Sequence, residues 1–376
     1  MSPSPPHIGF VLERSLGHVT HYDNLARVLP RQPDIVATLL PIEYAVDGLG
    51  ARLPLYGTNW TVRAGVRANR AIVRTHRRRA LDALFIHTQV PAVLAQRWMA
   101  KVPAVVSLDA TPLQYDELGA HYGHTPGSGR AEKWKTRANR ACLQRAVHVV
   151  AWSAWAKQGV VDQYGVPAER ITVIPPGVTP SLWNRPVDAP EAPGPLRILF
   201  VGGDLVRKGG DVLLEAFARL RAELAAEPGS PEVELHLATG ATVAPAPGVH
   251  VHHGMKPNSP ELIALYHAAH VFCLPTRGDC LPMVLSEAGA AGLPSVSTAV
   301  AGIPEIVRHD ETGLVVPLDD VTALTASLRR LVVDPELRRR LGGNARTLVA
   351  EQFDADRNAR RLVDLLLDTA VRGVPR

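Results

Sequence analysis

The chain has 376 residues, 46% hydrophobic and 20% charged, with a mean hydropathy of +0.01. These ordinary globular values exclude a mainly disordered or fibrous chain, and the length suits two domains better than one core or three. The net charge of +5 is uneven: residues 1–190 hold 22 Lys and Arg against 13 Asp and Glu, the remainder 19 against 23. A basic front half calls for an anionic partner such as a phosphorylated ligand, a lipid surface or a nucleic acid.

No uncharged apolar run approaches the roughly 18 residues needed to span a bilayer. Met1–His7 lacks the basic-then-apolar order of a secretory signal. Cys142, Cys273 and Cys280 are scattered, with neither a CxxC pair nor a His/Cys metal spacing. The expectation is a reducing, cytoplasmic setting without structural zinc.

In chain order, short runs rich in Val, Ile and Leu alternate with helical patterns. Strands are predicted at His7–Leu12, Ile35–Leu40, Ala83–His87, Ala104–Leu108, Val147–Ala151 and Ile171–Ile174. A second series follows at Leu196–Val201, Val233–Leu237, Val271–Leu274, Ser295–Ser297 and Leu314–Val316. Helices are predicted at Tyr22–Leu29, Lys208–Leu224, Pro260–Ala268 and Pro282–Ala291. The alternation argues for an α/β protein with parallel sheets covered on both faces. Between Arg185 and Pro195 four prolines interrupt the pattern. This predicts a first domain over 1–186, a semi-rigid linker over 187–195 and a second domain over 196–353. Two doubly wound domains place their ligand crevices outside the carboxyl ends of the strands, and facing crevices make an interdomain cleft.

Gly17 and His18 follow the first strand at a strand-to-helix turn, while His87 and Asp109 sit at strand ends. Each is equally well a turn or loop cap. Arg63, Arg67, Arg70, Arg74 and Arg77 recur at steps of four and three, one stripe on a helix. The stripe is either a solvated face or a peripheral contact to anionic headgroups or a phosphorylated acceptor. It contains no interleaved aromatics, which argues against nucleic acid.

Gly202 and Gly203 precede Lys208 at a predicted helix start. Glycines let backbone N–H groups approach a ligand, and a cation beside a helix start neutralises a pyrophosphate. No GxGxxG follows either opening strand and no GxxxxGK is present, so nicotinamide and ATPase chemistry is disfavoured. Further on, Asp279 lies at a helix mouth and Glu287 about 8 Å along the axis at the usual rise. Carboxylates so spaced can hold hydroxyls at two ends of an extended ligand, or be a loop Asp and a solvated helix Glu. Asp354-Ala-Asp356 opens the last helix and is better explained by N-capping than as a metal motif.

The block Asp279–Glu287, continued by Gly292-Leu-Pro294 and Gly302-Ile-Pro-Glu-Ile-Val307, closely resembles the retaining family-4 (group 1) glycosyltransferases of the GT-B fold. Phe200–Phe217, Val251–Gly254 and Tyr164–Val178 agree in order. The resemblance implies two Rossmann-like domains, with the last helix, about 354–372, crossing back to the first. It implies sugar transfer (the hexosyltransferase class) from a nucleotide sugar to a glycan, lipid or small-molecule acceptor, with retention of configuration and without metal or other cofactor. Glu287 would bind the donor's ribose diol, and Asp279 with the amides of Cys280 and Leu281 the donor sugar. Gly203, Lys208 and Arg207 would line the pyrophosphate, and Met255 the base. Gly17 would bring backbone against the donor, and His18 and His87 would face the acceptor. Relatives commonly carry Glu at the position of Asp279, His at that of Asp109 and Arg at that of Gly203. By this resemblance Lys208, Arg207, Asp279 and Asp109 are the catalytic candidates. A nucleotide-sugar epimerase or phosphorylase of the same fold, and a non-catalytic nucleotide-sugar-binding protein, are the alternatives.

Overall fold

In the computed structural model, residues 4–15, 17–45, 52–53, 56–119, 129–185 and 194–374 are described. The chain divides into two compact units. The first comprises described residues of 1–117, 125–176 and 355–376, the second those of 118–124 and 177–354. Residues 177–185 therefore go with the second unit. Of the expected linker 187–195, only Gly194 and Pro195 lie within the described residues.

The first unit holds a sheet in the order β2-β1-β3-β4-β5-β6. Its strands are β1 (His7–Glu13), β2 (Val36–Ile42), β3 (Ala83–His87), β4 (Ala104–Leu108), β5 (His148–Ala151) and β6 (Ile171–Val173), all paired in parallel. Every residue of β1, β3 and β4 is buried. That is why these runs are mainly apolar instead of alternating, with His7, Glu13, His87 and Ser107 as the polar exceptions. One face packs Val11, Ile86, Val106 and Val149 against Ile72 and Val160. The other packs Phe10, Phe85, Val105 and Val150 against Leu362, Val363 and Leu366. Those three leucine and valine side chains come from the helix Ala355–Arg372, whose buried positions recur at three- and four-residue steps.

The second unit's sheet runs β12-β11-β10-β7-β8-β9. It contains β7 (Leu196–Val201), β8 (Val233–Ala238), β9 (Val249–His252), β10 (Val271–Leu274), β11 (Ser295–Thr298) and β12 (Gly313–Val316), again all parallel. Strand β9 has no counterpart among the predicted strands. Its Val-His-Val-His alternation suits an edge strand with one wet face, and the paired histidines give it the look of a loop.

Two local expectations need correction. The first helix spans His18–Val28 rather than Tyr22–Leu29, with Gly17 at its N-cap, which places His18 and His21 in its first turn. The arginine stripe is not one solvated face of its helix, Trp60–Arg78. Arg63 is 8% exposed and donates to the carbonyls of Tyr56 (3.3 Å) and Gly57 (3.0 Å). Arg67 donates to the Tyr56 hydroxyl (3.1 Å), the Ala45 carbonyl (2.8 Å) and the Glu43 carbonyl. These two guanidiniums satisfy loop carbonyls; only Arg70, Arg74 and Arg77 remain as the solvent-facing part of the stripe.

Leu366 is completely buried against the first sheet. Leu366→Ala is expected to cost about 2–5 kcal/mol through lost burial and the remaining cavity, read as a lower urea midpoint. A midpoint equal to that of the unmodified chain would show that the helix is not part of this core.

Candidate functional site

Each sheet reverses its strand order once, between β1 and β3 in the first unit and between β7 and β10 in the second. Crevices form at such points, beyond the carboxyl ends of the strands. The candidate residues cluster there, separately in each unit.

In the second unit the turn after β7 carries Gly202 to Lys208 and leads into the helix Gly210–Ala225. Lys208 was expected to open this helix; it lies instead in the turn. Gly209 is the N-cap at φ +73°, and a Cβ there would stand 2.0 Å from the Pro275 carbonyl oxygen. Only glycine permits that approach. A Cβ on Gly202 would meet the Lys208 stem at 2.4 Å, so that glycine makes room for the lysine to turn inward. Lys208 Nζ reaches both Asp279 oxygens, at 3.0 and 3.2 Å. Arg207 Nη1 donates to Asp279 Oδ1 at 3.1 Å and to the Gly278 carbonyl. The Thr276 hydroxyl donates to Asp279 Oδ2 at 2.9 Å. Burial would raise the Asp279 pKa, but Lys208 and Arg207 outweigh it and hold the carboxyl below its usual range. The structure thus joins Lys208, Arg207 and Asp279 in one bonded cluster.

Glu287 sits on the helix Met283–Ala290, whose N-cap is Pro282. It is 3% exposed and accepts a 2.9 Å hydrogen bond from the Tyr266 hydroxyl. Burial pushes its pKa up to about 7, against the opposing Tyr266 bond and Lys208 charge. Tyr266 is itself fully buried, edge-on to Trp183 and stacked on Phe272. Trp183 is a packing residue whose indole N–H donates to Asn258 at 3.1 Å. Cys280 and Leu281 are buried beside Asp279, and the Cys280 carbonyl accepts from Gly302 N–H at 2.9 Å. Gly203 is exposed, and a Cβ there would meet nothing within 4 Å. Met255 is half-buried, just beyond β9 and Gly254.

In the first unit, Glu13, Thr88, Asp109 and Trp152 stand at or just past the ends of β1, β3, β4 and β5. His18 lies between two carboxylates. Its Nδ1 pairs with Glu13, and its Nε2 lies 3.3 Å from Asp109 Oδ2. Burial would lower its pKa, but the charges of Glu13 and Asp109 raise it to about 10, so the ring is an imidazolium at neutral pH. Glu13 also accepts from the hydroxyls of Tyr44 (2.6 Å) and Thr88 (2.9 Å). His87 stacks on Trp152 at 4.9 Å and 5°, with His18 and His21 each within 5.3 Å of the indole. Burial and the His18 charge lower His21 to about 3, and burial with the same charge keeps His87 well below its ordinary value. A Cβ on Gly17 would meet nothing within 4 Å, and its φ of −65° suits any residue.

Gly17, His18, His87 and Asp109 were legible as strand-end residues. Glu13, His21, Tyr44, Trp152, Thr276 and Tyr266 were not. The end of a strand marked Glu13 and Trp152, and a three-residue step from His18 marked His21. Nothing local marked Tyr266.

Two family models match the chain: "Glycosyltransferase Family 4" over residues 17–182 and "Glycosyl transferases group 1" over residues 195–334. Glycogen synthase of Mycobacterium tuberculosis is 28% identical over 336 residues, covering 85% of this chain and 73% of that protein. Sucrose-phosphate synthase from Thermosynechococcus elongatus has a similar fold, with a TM-score of 0.73 at 17% identity, over 98% of this chain and 100% of the other. Anabaena Alr3699/HepE, solved in complex with UDP-glucose, matches with a TM-score of 0.67 at 16% identity, over 96% of this chain and 99% of the other. With one model on each Rossmann-like unit, the chain belongs to the group 1, family-4 glycosyltransferases and has their GT-B fold.

Proposed function

We propose that this glycosyltransferase takes its sugar from a nucleotide-sugar donor held by the second unit, and retains the anomeric configuration. The observation that carries this reading is the convergence of Lys208 and Arg207 on Asp279. Arg207 also pairs with the exposed Asp204 at 3.3 Å, so the cluster is not a bare excess of charge. It is two cations held together at the turn, where a diphosphate can replace a solvent-exposed carboxylate as their partner. Negative charge develops on that leaving group during transfer, where preorganised cations lower the barrier most. Alr3699/HepE was solved with UDP-glucose, which supports the donor class.

In this account Asp279 orients the two cations and accepts a hydroxyl of the donor sugar. Glu287, backed by Tyr266, accepts from the ribose diol, while the Cys280, Leu281 and Met255 backbone meets sugar and base. Gly203 leaves open space on the phosphate side, and Arg207 supplies the second cation. In the first unit, Gly17 offers an unobstructed backbone approach. His18, too basic to remove a proton at neutral pH, holds Asp109 in position to accept from the acceptor hydroxyl, with the neutral His87 ring stacked on Trp152 behind it. The proton leaves on a phosphate oxygen of the departing nucleotide, so the reaction needs no metal and no hydrolase-type carboxylate pair. Arg70, Arg74 and Arg77 remain available for a peripheral contact with anionic headgroups.

Lys208→Ala is expected to lower turnover roughly 10²–10³-fold, as for loss of one preorganised donor, with a much smaller change in unfolding midpoint. Thermal unfolding with UDP-, GDP-, ADP- and dTDP-sugars identifies the donor, since ligand at about 100 times its dissociation constant adds about 2.7 kcal/mol. If no nucleotide sugar stabilises the protein, or if Lys208→Ala loses fold and turnover together, the proposal fails.

The Glu287 shift has a definite sign. A carboxyl at about 7 folded and about 4.3 unfolded contributes stability below the lower value that is lost as pH rises through the upper one. A ribose diol that donates to the ionised carboxylate therefore binds more tightly as pH rises from 6 to 8. Nucleotide-sugar affinity by calorimetry should increase over that range, and Glu287→Gln should flatten the dependence. An identical pH slope in Glu287→Gln would remove Glu287 from the donor site.

Gly17→Ala should fold with an unchanged midpoint, because neither φ nor packing demands glycine, yet lose turnover. Full activity in that variant would show that no substrate approaches this turn.

A further inference from the structure

On the outer edge of the second sheet, β8 and β9 pair in parallel with His236 opposite His250. Alternation along a strand then puts Glu234 and His236 of β8 on the same face as His250 and His252 of β9. His236 Nε2 lies 3.2 Å from Glu234 Oε2, and His250 Nε2 lies 3.6 Å from Glu234 Oε1. One ligand atom from each of Glu234, His236 and His250 falls within 4.8 Å of the other two. The His236 ring stacks between its neighbours, at 4.9 Å from His250 and 5.2 Å from His252.

We propose that Glu234, His236 and His250 bind a divalent transition metal of the zinc type, with His252 as the positioning residue for His236. Tetrahedral zinc takes nitrogen and oxygen ligands at about 2.0–2.2 Å, which sets ligand-to-ligand separations of about 3.3–3.6 Å. The two carboxylate-to-imidazole distances, one to each Glu234 oxygen, lie close to that spacing. Rotation of His250, whose side chain is 48% exposed, closes the remaining nitrogen-to-nitrogen separation, and the same exposure leaves a fourth position for water. A ligating imidazole is commonly held through its other nitrogen. His236 Nδ1 lies 3.0 Å from His252 Nε2, so with an ion on Nε2 the Nδ1–H would donate to His252. Without a cation the neutral ring can donate Nε2–H to Glu234 and accept at Nδ1 from His252, and an incoming ion takes the place of that Nε2 proton. Two imidazoles and one carboxylate suit zinc, nickel or copper rather than magnesium or calcium. The Arg197 Nε, 3.5 Å from Glu234 Oε2, is the group that competes for the same carboxylate. The bound ion would clip the four-residue edge strand β9 to β8, at the point where the chain turns toward Gly254 and Met255.

The test uses the full chain without an affinity tag. Zinc is titrated in competition with a chromophoric chelator, and cobalt(II) is followed by visible absorption. One equivalent should bind, with the intense absorption of tetrahedral cobalt, and zinc but not magnesium should raise the melting temperature. His250→Ala, which removes a half-exposed ring, and Glu234→Gln should each weaken zinc binding at least tenfold while melting normally without metal. His252→Ala should weaken it about 10–100-fold and change the cobalt spectrum. Unchanged zinc affinity in both His250→Ala and Glu234→Gln overturns the site, as does magnesium giving the same stabilisation as zinc.

Discussion

Neighbouring parallel strands cannot be joined by a short turn, so every connection must climb over a face of the sheet. In both units the direction of climbing reverses once, at β1/β3 and at β7/β10, and the segments leaving the strand ends diverge there. The reversal fixes which residues meet. Glu13, Thr88, Asp109 and Trp152 are neighbours because they end consecutive strands of one sheet. Lys208 meets Asp279 because β7 and β10 lie side by side despite the 71 residues that separate them in sequence.

The two carboxylates of the second unit are driven apart in acidity by what surrounds them. Asp279 is ringed by two cations and a hydroxyl and remains ionised. Glu287 is buried with a phenol as its closest partner and titrates near neutrality. The first unit repeats the contrast with histidines, His18 raised by its carboxylates while His21 and His87 are lowered by burial and by His18 itself. Divergent titration among close neighbours is the usual mark of groups assigned different tasks.

Much of this was legible in the sequence. Strands such as Ile198–Val201 and Ala104–Val106 announce themselves because the sheet is covered on both faces, leaving short continuous apolar runs. Asp279 and Glu287 stand out by their spacing and by the family block around them. Local letters say less about groups gathered from distant strand ends, and Tyr266 behind Glu287 and Glu13 beside His18 belong to that kind. Spacing also misled at Arg63, where a helical period put five arginines on one face but not the loop carbonyls that draw the first of them inward. The absence of a Cys/His metal pattern was a statement about neighbours in sequence. Glu234 and His250 are brought together only by the pairing of β8 with the unrecognised strand β9.

The helix Ala355–Arg372 has a consequence for how the protein is made. Its leucines complete the core of a unit that otherwise ends at residue 176. On a ribosome, the first unit must wait with the face carrying Phe10, Phe85 and Val105 only partly covered, by Leu25, Val28 and Leu29, until that helix emerges. The second unit, continuous from residue 177 to 354, has all of its long segment available before then. Synthesis therefore reverses the usual N-terminal-first order: the half of the molecule that begins later can finish earlier, and the partly covered apolar face of the first sheet is the surface a chaperone would have to shield in the interval.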